Sequence, residues 1–452
     1  MAERIKPESI TVGFVALGCP KAIVDSETML ARIAEAGFII TGETDDADVV
    51  VINTCGFIAP ARAEALEAIS CAVDRKADGT VKKVIVVGCL PERVGTELFD
   101  QADGIDAIVG LSRRDSIAEI IEETLRCTEN TAYLKPSQPA ITNPVADDRA
   151  RLLITPSHWA YLRISEGCNR RCSFCIIPAI RGRFRSKPED NILAEAVELV
   201  SAGAVELNII AQDTTSYGQD LKIKDGLSTL VGKLESIADL RWLRLMYLYP
   251  AAVTDKLIET VAKSEKIMPY VDIPIQHINN EILKDMCRGH TGESIYRLIE
   301  RLRLALPDIV LRTTVIVGFP GETDSAFNEL LDFVRWARFD ALGCFKFYAE
   351  SGTPAAEMSG QIPEHIRDKR REQLMLVQQE IAFAKNKSRI GTDLTCLIDS
   401  LENDGTVRGR FYGQAPDIDG VCIIENCSTQ PGCFINTRVV ATKDYDLVVR
   451  QI

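Results

Sequence analysis

Between Tyr161 and Tyr348 six short apolar runs alternate with stretches of helical period, and this alternation limits the fold more than any other feature. The expected strands are YLRIS (161–165), ELNIIAQ (206–212), WLRLMYLY (242–249), YVDIPIQ (270–276), LRTTVIVGF (311–319) and LGCFKFY (342–348). Helical stretches such as NILAEAVELVSAG, GLSTLVGKLESIA and DSAFNELLDFVRWARF separate them. Parallel strands joined by helices wind right-handedly and place their chemistry at the carboxyl ends of the strands. Six units imply an incomplete TIM-like (βα)6 barrel, open along one side. Such a gap suits a macromolecular substrate better than a metabolite.

The loop after the first of these strands is where chemistry is expected. EGCNRRCSFCIIPAIRGR sets Cys168, Cys172 and Cys175 in a C-x3-C-x2-C triplet, with Phe174 directly before the last cysteine. Three thiolates so spaced can hold three corners of a cubic 4Fe–4S cluster and leave the fourth iron open. Structural zinc would ask for a fourth protein ligand, and no further Cys or His lies nearby. A cluster with one free iron is a reaction site. Other strand ends offer polar groups to a cofactor: Gln212 and Asp213 after the second strand, Gln276 and His277 after the fourth. The fifth strand holds Arg312 and Thr314 and closes in GFPGE (318–322), where Gly318 would let a flat ring such as adenine approach the backbone. His277 reads equally well as a hydrogen-bonded structural histidine. Arg181, Arg183, Arg185 and Lys187 make a basic stretch past the triplet. It is either a solvated face or a means of neutralising cluster or substrate charge.

The first third alternates too. VGFVAL (12–17), DVVVIN (48–53) and KVIVVG (83–88) are β-branched runs separated by helical stretches, which implies a parallel, doubly wound, Rossmann-like sheet. Cys19, Cys55 and Cys89 each follow one of these strands by one or two residues. Ligands of such sheets bind at the carboxyl ends of the strands, so three thiols distant in sequence would meet on one rim. A single such cysteine would pass as a small buried hydrophobe. Three equivalent placements point to a second metal-cluster site. Cys71, inside a helical stretch, and Cys127, near the end of SRRDSIAEIIEETLRC, read as structural.

The expected division is an N-terminal domain over 10–127, a proline-containing linker over 128–155, the barrel over 156–385 and a small C-terminal domain over 386–452. The charged helix PEHIRDKRREQLMLVQQEIAFAKNK leads into the last of these. TCLIDS, VRGRFY, GVCIIE and TRVVATK read there as strands of a small OB-like barrel. Five cations (Arg408, Arg410, Arg438, Lys443, Arg450) face nine anions from Thr392 onward, a balance of −4 and the wrong sign for gripping phosphates. Cys422, Cys427 and Cys433 lack compact ligand spacing and read as buried or incidental. The whole chain carries a net charge of −13, which favours a basic partner or a small molecule over nucleic acid. Without an apolar run of membrane length or a secretory segment at MAERIKPESI, the 14 cysteines read as reduced thiols of a cytoplasmic chain.

Nearly the whole chain resembles one family, the radical S-adenosylmethionine (SAM) methylthiotransferases. LGCPKAIVDSE, INTCGF and GCLPER resemble their N-terminal domain; ISEGCNRRCSFCIIPAIRGR, QDTTSYG and DIPIQH their barrel; and the last segment their TRAM domain. The CPK after Gly18, QDTTSYG and the acidic QAPDIDG (414–420) are closer to the branch that acts on a ribosomal protein than to the branch that acts on tRNA adenosine. The resemblance implies that Cys168, Cys172 and Cys175 hold the SAM-cleaving 4Fe–4S cluster and that Cys19, Cys55 and Cys89 hold an auxiliary one. It implies a methylthio group placed on the β-carbon of an aspartate of the twelfth small-subunit ribosomal protein. SAM is then both methyl donor and radical source, since an unactivated C–H bond offers no acidic proton to a base. Gln212, Gln276, Arg312 and Gly318 are the expected SAM contacts. A low-potential donor, flavodoxin or ferredoxin-like, is implied, with a monomeric enzyme and neither membrane nor tRNA as partner. Two positions depart from the family pattern: Lys187 stands where arginine is expected, and Ala22 where asparagine is.

Overall fold

The computed structural model describes residues 7–42, 44–134, 145 and 147–452. Residues 135–144 and 146 of the expected linker lie outside them. The chain forms two compact units. The first comprises Met1–Ile154 with Glu166–Asn169 and Ile176–Lys187; the second comprises Thr155–Ser165, Arg170–Cys175 and Pro188–Ile452. The division therefore falls inside the cysteine loop, and the small C-terminal barrel shares a unit with the large one.

The first unit is a six-stranded parallel sheet. Its strands are β1 (Thr11–Ala16), β2 (Ile39–Thr41), β3 (Val49–Thr54), β4 (Lys83–Gly88), β5 (Ala107–Val109) and β6 (Thr131–Tyr133), in the spatial order β2-β1-β3-β4-β5-β6. Helices α1 (Pro20–Glu35) and α2 (Ala59–Ala77) lie in its two opposite layers. Strand alternation builds those layers: Val49 and Val51 pack with Met29 and Ile33 of α1, whereas Val50 and Ile52 pack with Ala65 and Ile69 of α2. Three strands beyond the expected three are present, each of three residues. The last of them, β6, carries the sheet past residue 127 into the stretch expected as linker.

In the second unit β7 (Trp159–Arg163), β8 (Glu206–Ile210), β9 (Trp242–Leu245), β10 (Ile267–Asp272), β11 (Val310–Val317) and β12 (Ala341–Lys346) pair in parallel and in chain order. Among the described residues no pairing joins β12 to β7, so the expected incomplete (βα)6 barrel is open. The helix Glu364–Ser388 leads to a closed five-stranded barrel of β13 (Asp393–Leu401), β14 (Val407–Phe411), β15 (Cys422–Glu425), β16 (Phe434–Lys443) and β17 (Asp446–Gln451). Sequence had supplied four of these five.

The two barrels of this unit meet through buried charge. Glu206 accepts from Arg244 Nε at 3.0 Å and Arg410 Nη1 at 2.8 Å, and Arg410 also grips Asp399, which His158 contacts at 2.9 Å. Burying these ions would be costly if they were unpaired. Asp419 of QAPDIDG belongs to the same seam, accepting from Tyr270 Oη at 2.7 Å and lying 3.4 Å from Arg312 Nε.

Candidate active site

Three loops of the first unit bring Cys19, Cys55 and Cys89 together. Pro20 sits at the start of α1, where its missing N–H costs nothing, and Cys19 becomes the residue capping that helix. Cys55 directly follows β3, and Cys89 opens the short helix α3 (Cys89–Val94) after β4. Strands β1, β3 and β4 are consecutive neighbours, so the three positions share one rim; the chain order reverses at β1, where such sheets open a crevice. Glycines permit the close approach. A Cβ on Gly18 would lie 3.2 Å from that of Cys55, and one on Gly56 only 2.7 Å from the Cys89 carbonyl oxygen.

The thiols influence one another electrically. Burial pushes the Cys89 thiol up to about 12, with Arg181 opposing and Cys19 and Cys55 adding to the rise. Cys55 is also raised, by burial first and by Cys19 in addition. Cys19 goes the other way. Its side chain reaches solvent, yet surrounding protein still opposes its ionisation; Lys21, Arg181 and the N–H groups of Ala22 and Lys21 outweigh that and lower its pKa. One rim thus holds a thiol whose ionisation is favoured beside two whose ionisation burial opposes. Among the described residues no three His, Cys, Asp or Glu side chains converge closely enough for a single ion. A cubane takes one thiolate per iron, and three thiols on one rim are a donor set of that chemistry.

Arg181 and Lys187 are buried, which corrects the solvated-face option for these two members of the basic stretch. Lys187 is fully enclosed in an ion pair with Asp148 at 2.8 Å. Arg181 Nη2 lies 3.4 Å from Cys89 Sγ and 2.9 Å from Asp25 Oδ2, and Nη1 donates to Glu166 Oε1 at 2.9 Å. Cys71 and Cys127, which read as structural, are both exposed.

The triplet is held from both sides of its loop. In the first unit the Cys168 N–H donates to the Gly182 carbonyl at 3.2 Å. In the second, the Cys175 N–H turns back to the Cys172 carbonyl, and Ser173 bonds the chain at Asp285, Met286 and Ala355. Phe174 packs on the cluster of Met286, Phe319 and Phe347, which explains an aromatic side chain before the last cysteine. Arg288 Nη1 approaches Cys172 Sγ at 3.3 Å while Nη2 donates to the Pro274 carbonyl. Arg288 and Arg170 both lie over the Tyr249 ring, at 4.4 and 3.8 Å from its centre, and Arg170 is fixed by Asp213 at 2.7 Å.

The expected SAM contacts lie on or shortly after β8, β10 and β11. Gln212 and Gln276 stand half-buried after β8 and β10. Gln276 takes the left-handed φ of 72° while its backbone bonds Thr314 and Ile316. The space beside Gly318 is filled by Arg367, whose Cγ would lie 2.2 Å from a Cβ there, so the close neighbour on that side is a side chain of this protein. Arg312 is bound by Asp272 at 3.0 Å as well as by Asp419, and serves the seam between the barrels. His277 accepts the Asn279 N–H at its Nδ1 and is kept neutral by burial, with its pKa near 3. Sequence reasoning missed Asp25, Tyr249 and Arg288. Asp25 lies inside the quoted LGCPKAIVDSE, but that motif says nothing of its contact with Arg181, and only the fold brings Tyr249 and Arg288 together beside Cys172.

Family models match along the chain: the Radical SAM superfamily over residues 162–334, the Uncharacterized protein family UPF0004 over 11–110 and the TRAM domain over 390–452. A relative from Geobacter sulfurreducens, the ribosomal protein uS12 methylthiotransferase RimO, is 44% identical over 440 residues, covering 97% of each chain. Its counterpart in Pelotomaculum thermopropionicum is also 44% identical, over 97% of this chain and 98% of the relative. Among solved structures, the radical SAM methyltransferase TsrM of Kitasatospora setae, with tryptophan and a SAM analogue bound, superposes with a TM-score of 0.57 at 15% identity, covering 87% of this chain and 79% of that one. With full-length identity at this level, the triplet after the first barrel strand and the closed C-terminal barrel, the chain belongs to the RimO family of radical SAM methylthiotransferases.

Proposed function

We propose that this enzyme places a methylthio group on the β-carbon of an aspartate of ribosomal protein uS12. Cys168, Cys172 and Cys175 would hold one 4Fe–4S cluster, and Cys19, Cys55 and Cys89 a second. When bound, the first cluster with SAM supplies a carbon radical able to take hydrogen from an unactivated C–H bond, and the second supplies sulfur. The observation that carries this reading is the placement of Cys19, Cys55 and Cys89 at the ends of the neighbouring strands β1, β3 and β4, on one rim of the first sheet. Cys168 packs in that same compact unit.

The chain's own residues then have definable work. Arg288 steadies Cys172 by an N–H···S contact, and the Tyr249 ring holds Arg288 in place. Phe174 anchors the triplet in the core of the second unit. Gln212 and Gln276 remain proposed SAM contacts, Gly318 a backbone one; Arg312 supports the site from the barrel seam. The small barrel favours a protein substrate, because Arg408, Arg410, Arg438 and Arg450 are each ion-paired with a carboxylate. A low-potential flavodoxin or ferredoxin-like donor would supply electrons to a cytoplasmic monomer.

The test is anaerobic incubation of the reconstituted enzyme with SAM, reductant and either uS12 or tRNA. We expect a methylthio mass gain on uS12; a gain on tRNA alone would overturn the reading. Cys168→Ala should abolish 5′-deoxyadenosine formation. Cys55→Ala should retain some of it yet give no thiolated product, and normal product from that variant would remove the second cluster from the proposal.

A further inference from the structure

We infer that Arg181 is a positioning residue for the sulfur-supplying centre, holding a fixed positive charge and an N–H donor against Cys89 Sγ. The inference rests on the reading that Cys19, Cys55 and Cys89 bind a cluster. Its physical basis is how tightly the guanidinium is fixed. Its side chain is 3% exposed, Nη2 meets Asp25 Oδ2 and Nη1 meets Glu166 Oε1, both at 2.9 Å. Asp25 is also bound by Arg114, and Asp25 and Glu166 are themselves buried. The group as a whole is neutral, and its positive Nη2 end is the part that faces the thiol. What remains directed outward is the contact from Arg181 Nη2 to Cys89 Sγ at 3.4 Å.

A planar fork can bind two carboxylates and a sulfur at once, which a lysine ammonium cannot do with fixed direction. Hydrogen bonds to cluster sulfurs and the net charge beside them are the protein's means of setting a cluster's potential. Reduction adds negative charge, so a donor cation next to the thiolate stabilises the reduced form more than the oxidised form. Arg181 therefore raises the auxiliary cluster's reduction potential. Glu166 lies just before Cys168 and Arg181 just after Cys175, so the segments flanking the SAM triplet are the ones that set the environment of the second thiol set.

The test uses the full-length Cys168→Ala, Cys172→Ala, Cys175→Ala protein, in which only the auxiliary cluster can form, reconstituted anaerobically with iron and sulfide. Iron content and the EPR-monitored midpoint potential are read with Arg181 intact, as Arg181→Gln and as Arg181→Lys. We expect Arg181→Gln to keep its iron but become harder to reduce by about tenfold in the equilibrium, roughly 59 mV for one electron. Arg181→Lys should recover only part of that shift, because it keeps the charge but not the directed N–H contact. Loss of iron in Arg181→Gln with retention in Arg181→Lys would support the same role for the charge. An unchanged potential in Arg181→Gln, or loss of iron in both variants, would overturn it. If the protein with Arg181 intact bound no cluster at all, the reading of Cys19, Cys55 and Cys89 would fail instead.

Discussion

A buried carboxylate must be paid for locally, and Glu322 in the GFPGE turn shows how far that goes. Burial lifts its carboxyl to about 7 from an ordinary 4.5, even though Arg370 and the N–H groups of Gly318 and Phe319 pull the other way. Glu322 Oε2 accepts the Gly318 N–H at 2.6 Å, and Oε1 meets Arg370 Nη1 at 2.9 Å. The folded chain thus keeps a proton there, between about pH 4.5 and 7, that the unfolded chain has released. By linkage, the folded state loses stability from this group as pH rises through that window. Anaerobic denaturant unfolding at pH 5 and pH 7.5 should therefore show a smaller drop for Glu322→Gln than for the parent. An equal drop in the two proteins would mean that Glu322 is ionised throughout, held so by Arg370.

At the level of elements, the strands that bear cysteines were readable because each is a run of β-branched residues ending at a glycine or a polar residue. Strands β2, β5 and β6 escaped, since three residues such as Ala107–Val109 carry no period and owe their pairing to the neighbouring strand. The fifth strand of the small barrel, Asp446–Gln451, was hidden by ending at the chain terminus beside a charged turn. The strand-end positions of the six cysteines were legible, whereas the contacts of Asp25 and Arg288 were not, because these act across distances in sequence that only folding closes. Gly88 shows what such an element end demands. It joins β4 to Cys89 at φ 103°, and a Cβ there would lie 2.3 Å from Asn53 Oδ1 and 2.7 Å from the Thr54 carbonyl oxygen. Asn53 cannot yield easily, because its amide bonds the Ala22 carbonyl and Ser26 Oγ. Gly88→Ala should cost about 1–3 kcal/mol in backbone strain and displace Cys89. Iron bound by the SAM-triplet alanine variant should fall in parallel, and full iron retention with unchanged unfolding would refute the constraint.

At the scale of the whole molecule, charge decides what can approach. The chain carries −13, and four of the five cations of the small barrel are ion-paired with carboxylates. Arg410 is enclosed between Glu206 and Asp399, while Arg438 and Arg450 pair with Asp393 and Glu425 along the strands. Arg410→Met should destabilise the second unit by about 3–5 kcal/mol, because it strands carboxylates that cannot reach water; a cost below about 1 kcal/mol in denaturant unfolding would show that His158 and Arg244 suffice. Polyanions meet the opposite of what they need, since phosphate binding requires free cations and gains from counterion release. A ribosomal protein lies against RNA phosphates and is basic for that reason, so an acidic surface attracts it. The attraction is long-ranged and therefore screened by salt. Binding of uS12, followed by fluorescence anisotropy with reductant and SAM absent, should weaken progressively from 50 to about 300 mM salt, as association between opposite surface charges does. A tRNA should bind weakly across the same range. Tighter binding of tRNA than of uS12 at low salt, with a steep salt slope, would mean that a basic surface lies elsewhere on the molecule and would return the choice of substrate to nucleic acid.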